Sequence, residues 1–110
     1  MSELAFATAS EWDAWLDANH ETASEAWLVY WKKGTNTPTI EYGDAVEVAI
    51  RYGWIDGLVR RIDDERYKQR WTPRRPRSNW TPRNREIAER LIAAGEMTPR
   101  GQAAYDARRT

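Results

Sequence analysis

The chain of 110 residues has no cysteine, which excludes a disulfide framework and any thiolate metal site. It has one histidine, His20, in a polar Asn-His-Glu turn where a solvated ring is expected. One imidazole without thiols does not make a zinc or transition-metal centre, and no metal or cofactor is expected. Leu, Ile, Val and Phe together number sixteen, below the share of about 20% at which a composition begins to look disordered. No stretch approaches the roughly 18 apolar residues needed to span a bilayer. The N-terminal run MSELAFATASEWDAW carries Glu3, Glu11 and Asp13 in place of the apolar centre of a signal peptide. A cytoplasmic protein without membrane insertion is the expectation. Gly-rich phosphate loops and dinucleotide fingerprints are also missing.

What replaces the missing aliphatics is tryptophan. There are seven, and each buried aromatic removes about 150–250 Å² from water. With a net charge of zero, this composition predicts a globular protein with an aromatic core. The neutrality hides a split. Residues 1–59 carry ten acids and three bases, residues 60–85 three acids and ten bases, and residues 86–110 balance. Such a division marks either a basic binding face or two halves that pair internally.

Residues 1–110 read as a single domain. Ser10 ahead of an apolar-periodic run, with Asp13 three residues on, predicts a first helix to about Ala18 that buries Trp12, Trp15 and Leu16. The run Ala26–Trp31 is apolar on both alternating faces, as a central strand should be. Residues 42–52 carry Val46, Ala49 and Ile50 at helical spacing, and Gly53 stands where a left-handed C-terminal residue is wanted. Residues 54–62 and 66–71 predict a hairpin around Asp63-Asp64-Glu65. Thr81-Pro82 and Thr98-Pro99 each place an N-cap before a proline, opening helices that stop at Gly95 and near Arg108. The predicted order is α-β-α-β-β-α-α, an α+β domain with a small, mostly antiparallel three-stranded sheet packed by helices.

Several strings resemble the bacterial family named for bacteriocin protection, YdeI or OmpD-associated. They are EWDAWL from Glu11, AWLVYWKK from Ala26, Tyr42 through Ala49, GWID from Gly53, PRRPRSNW from Pro73 and the GEMTPRG close from Gly95. The resemblance runs from about Leu4 to Ala107. It implies a role in bacteriocin or stress protection and brings no catalytic residues. Where that family often carries a cysteine this chain has Arg51, so no thiol role transfers.

Two readings stand for the central segment. In the structural one, Gly53 caps a helix, Trp54 packs in the core, and Asp56 accepts hydrogen bonds from backbone or arginine. The arginines of Pro73–Trp80 then bind acids of residues 1–59 and stack on Trp71 and Trp80. In the functional one, prolines hold those guanidiniums in a stiff frame that loses little entropy on taking an anion. The candidate ligand set is Arg60, Arg61, Arg74, Arg75 and Arg77, with Trp54 and Trp80 shaping the site and Asp56 orienting one arginine. The partner is then an anionic small molecule or an acidic protein surface, met by a monomer or homodimer.

A single-stranded nucleic-acid binder using Arg66, Lys68, Arg70, Arg83, Arg85 and Trp71 is the alternative, opposed by a sequence pI near 6.6. A small enzyme with Asp56 as acid or base is the third. A Ser-His-Asp set would need His20 beside Ser2, Ser10, Ser24 or Ser78, and nothing in the sequence orients any of them.

Overall fold

A computed structural model describes residues 3–108; Ser2 and Arg109 lie outside them. Four helices and a four-stranded sheet make a mixed α/β architecture. In chain order the elements are β1 (Glu3–Leu4), α1 (Ala9–Asn19), β2 (Ala26–Trp31), α2 (Tyr42–Arg51), β3 (Trp54–Arg61), β4 (Arg66–Pro73), α3 (Pro82–Ala93) and α4 (Pro99–Asp106), with a short 3₁₀ turn at Lys33–Thr35. The sheet order is β1-β2-β4-β3, antiparallel except for the parallel β1–β2 pair. The expected three strands are thus four, and the expected order gains a leading strand. A two-residue strand has no periodicity to read, and only pairing with β2 defines it.

The first helix begins earlier than its sequence signal suggests. Thr8, not Ser10, is the N-cap: its hydroxyl accepts from the Glu11 N–H, and the Glu11 carboxylate accepts from the Thr8 N–H. Asp13 is thereby released from capping. It accepts from the Tyr52 hydroxyl at 2.6 Å and from the Arg51 guanidinium, tying α1 to the end of α2. The caps at Thr81 and Thr98, each followed by proline, form as the sequence indicates. Gly53 takes φ +74° and Gly95 φ +73°, the left-handed region open to glycine at helix ends.

Alternation along β2 divides the sheet. Ala26, Leu28 and Tyr30 join Trp54 and Trp71 beneath residues of all four helices: Trp12 and Leu16, Ala45 to Ile50, Ala88 and Leu91, and Tyr105. The centre is a cluster of indoles. Trp12 stacks on Trp15 at 5.7 Å and meets Trp54 and Trp71 edge-on at 6.5 and 5.8 Å. The opposite face carries Trp27, Val29 and Trp31 across from Arg70, Lys68 and Arg66. There Lys68 lies 4.9 Å from the Trp27 ring centre and Arg66 5.3 Å from that of Trp31.

Candidate functional site

The end of β4, the following Pro73–Pro76 turn, the start of β3 and one side of α4 enclose a cleft of about 280 Å³. Its walls are Trp54, Tyr52, Pro73, Pro76 and the alanines 103, 104 and 107, with Arg74, Arg75, Arg100 and His20 as the ionisable groups other than Tyr52. Among the described residues no Asp or Glu lines it. Ala103, Ala104 and Ala107 leave the space that larger side chains would fill.

Arg74 is the inner cation. Its backbone N–H donates to the Gly53 carbonyl at 2.8 Å. Its guanidinium lies flat on Trp80, 3.8 Å from the ring centre, and Nη1 donates to Ser78 Oγ at 3.3 Å. Arg74 Nε and Trp80 Nε1, two buried donor atoms of this pair, have no acceptor among the described residues. Burial pulls the guanidinium down to about 10, with the charge of Asp56 offsetting part of that effect. A desolvated cation with no carboxylate within ion-pair reach is unfavourable unless something anionic completes it. Arg75 is exposed at the cleft mouth. The backbone N–H of Arg77, held at φ +64°, donates to the Ala107 carbonyl at 2.8 Å and pins the turn to the end of α4.

Of the sequence candidates, Trp54, Arg74 and Arg75 meet in the cleft, and Trp80 stands behind Arg74. Arg77 does not line it. Arg60 and Arg61 sit at the far end of the β3–β4 hairpin, opposite Lys68 and Tyr67, where Arg61 pairs with Asp64. Asp56 orients no arginine through a direct contact among the described residues. Its Oδ2 accepts from the Tyr42 hydroxyl at 2.9 Å and from Gln69 Nε2 at 3.4 Å, and Gln69 accepts from the buried Tyr30 hydroxyl. This is a chain of polar groups satisfied within the fold.

Three bases proposed for nucleic acid, Arg66, Lys68 and Arg70, share the sheet face opposite the indole cluster, each ion-paired to Asp63, Glu3 or Glu25. Trp71 lies on the other face with no exposed surface, so it cannot stack on a base. Arg83 and Arg85 are exposed on α3. Among the described residues no group of His, Asp and Glu is placed to hold a metal, and no helix is long and apolar enough to cross a membrane.

His20 and Arg100 were missed by sequence reasoning. His20 is half-buried rather than freely solvated, its ring 4.9 Å from that of Tyr52. The spacing Arg100, Ala103, Ala104, Ala107 is one helical face, but which face looks on to empty space is set by tertiary packing.

Residues 4–104 match the family model described as a domain of unknown function, DUF8412. The chain belongs to that family. No curated protein and no solved structure matches it. The DUF8412 region contains every cleft residue except Ala107. Its description carries no activity, so function is argued from the site itself.

Proposed function

We propose that the chain is a non-enzymatic binding protein whose cleft takes a small anionic ligand, or an acidic side chain of a partner protein, between Arg74, Arg75 and Arg100. On its resemblance to the YdeI/OmpD-associated family, this binding serves bacteriocin or stress protection. One observation carries the reading: a partly buried guanidinium lying over Trp80, whose Nε has no acceptor among the described residues, with no carboxylate lining the cleft beside it. An anion in the cleft would accept from the Arg74 guanidinium through charge-assisted bonds, which are about twice as strong as neutral ones.

The test is a thermal-shift screen of acetate, benzoate and phosphate on wild type, Arg75→Ala and Arg74→Met. At about 100 times Kd a ligand adds about 2.7 kcal/mol of stability, a rise of several degrees. Arg75→Ala removes that rise without changing the melting temperature of the free protein. Arg74→Met removes it while leaving the free protein as stable or more so, because an apolar side chain relieves the desolvated charge. A collapse of Arg74→Met in melting temperature, with no anion stabilising the wild type, would make the arginine purely structural. Nucleic acid is separated by adding single-stranded DNA at about 50 mM salt, where phosphate contacts are strong; no binding is expected. Asp56 is engaged by Tyr42 and Gln69 as part of the fold's own polar chain, which favours the structural reading of that carboxylate.

A further inference from the structure

The anion cleft does not end at Arg100. A second cleft of about 220 Å³ is lined by Asp17, His20, Glu21, Tyr52, Thr98, Pro99 and Arg100. His20, Tyr52 and Arg100 belong to both, so the two clefts adjoin at these three side chains. Their charge is opposite. The first cleft holds Arg74 and Arg75 and no acid; the second adds Asp17 and Glu21.

Neither carboxylate is firmly held. Asp17 has no ion pair or side-chain hydrogen bond among the described residues. Glu21 reaches only Arg100, at 3.5 Å, with both side chains more than half exposed, a pair of little strength.

His20 supplies a third acceptor. Its Nδ1 lies 2.7 Å from the Leu16 carbonyl oxygen. A carbonyl only accepts, so in the neutral ring the proton sits on Nδ1 and Nε2 presents its lone pair. An ammonium has three donors, and this second cleft offers two carboxylates and an imidazole nitrogen.

We propose that the adjoining clefts together bind a short zwitterion of dipeptide size, its carboxylate toward Arg74 and Arg75 and its ammonium toward Asp17, Glu21 and His20. This rests on the anion reading above and adds the opposite end of the ligand. The first cleft is apolar around its arginines: Trp54, Pro73, Pro76 and the alanines 103, 104 and 107 suit a hydrophobic side chain beside the ligand carboxylate. Arg100 lies on the boundary and exchanges its weak pair with Glu21 for the ligand carboxylate.

The experiment is calorimetric titration with glycylphenylalanine, its N-acetyl form and its C-terminal amide. A charge-assisted hydrogen bond is worth about 1.5–3 kcal/mol, so blocking either end should weaken binding about tenfold or more. In the double variant Asp17→Asn with Glu21→Gln, whose substitutions are exposed and leave the fold intact, glycylphenylalanine should fall to the level of the N-acetyl form. The affinity of the N-acetyl form itself should not change. Equal affinity of the free and N-acetylated dipeptides would overturn the zwitterion and leave the anion cleft standing. Equal affinity of the free dipeptide and its amide would remove the arginine end, and both readings with it. Failure of all three to bind would overturn the zwitterion, while the anion reading is decided separately by the thermal-shift screen of acetate, benzoate and phosphate.

Discussion

Gly101 lies where α4 meets the end of α2, and it is buried. The Arg51 carbonyl there accepts from the backbone N–H and the hydroxyl of Thr98, the residue that caps α4. A methyl group at position 101 would press into that carbonyl oxygen and Met97 Sδ. The oxygen is backbone and cannot swing aside. Gly101→Ala should therefore cost about 1–3 kcal/mol, the usual penalty of overpacking, measurable as a lower urea midpoint. Wild-type stability in this variant would mean that α4 docks more loosely than described. Gly53 is constrained on two counts. Its φ of +74° disfavours a side chain, and a Cβ would lie 3.0 Å from the Arg100 carbonyl oxygen. The first constraint was legible in the sequence, because a glycine after a helical run marks a left-handed end. The second was not, because Arg100 comes within reach only through packing. His20 teaches the same lesson: its polar neighbours in sequence suggested solvent, while its neighbour in space is the Tyr52 ring.

At the level of elements, the helices and long strands follow from their local chemistry. Proline after threonine fixes two starts, and the doubly apolar run Ala26–Trp31 is the interior strand between β1 and β4. The misplaced start of α1 is instructive. Ser10 and Thr8 both precede apolar periodicity, but only Thr8 has a glutamate three residues later, and the reciprocal pair it forms with Glu11 settles the boundary. Thr8→Ala should destabilise by about 1 kcal/mol, the common cost of a lost N-cap, whereas Ser10→Ala should be nearly silent. Thermal melts of the two variants give the comparison, and the reverse ranking would contradict the observed cap. β1 escaped notice because two residues carry no pattern. The cleft escaped for a different reason: its residues come from the C-terminal ends of α1 and α2, the start of β3, the turn after β4 and one side of α4.

For the molecule as a whole, the imbalance between acidic and basic segments is partly met inside the fold. Glu3 with Lys68 and Glu25 with Arg70 join the two segments across the sheet, and Asp63 and Asp64 take Arg66 and Arg61. Arg60, Arg74, Arg75, Arg77, Arg83 and Arg85 have no carboxylate within 4.0 Å among the described residues. Stability at high pH follows from the phenols. Burial raises Tyr30, Tyr42 and Tyr52 above their ordinary value of 10.0, and the hydrogen bond to Glu89 does so for Tyr105. A group held neutral in the fold but free to ionise when unfolded contributes stability that is fully present below its unfolded value and lost as pH rises past it. Arg74 acts in the opposite sense, since its folded value of about 10 lies below the ordinary 12.5, so it favours the fold as pH climbs between the two. Four phenols outweigh one guanidinium. The urea midpoint should therefore fall between pH 9 and pH 11, and a flat or rising profile would contradict the burial of these rings.

The backbone bond from Arg77 to Ala107 and the close approach of Gly53 to Arg100 have a joint consequence for how the protein matures. Until the eight-residue final helix seats itself, the cleft has only one bank. A ligand of the cleft would therefore need that helix docked, and a lesion that merely unseats it would mimic the loss of a contact residue.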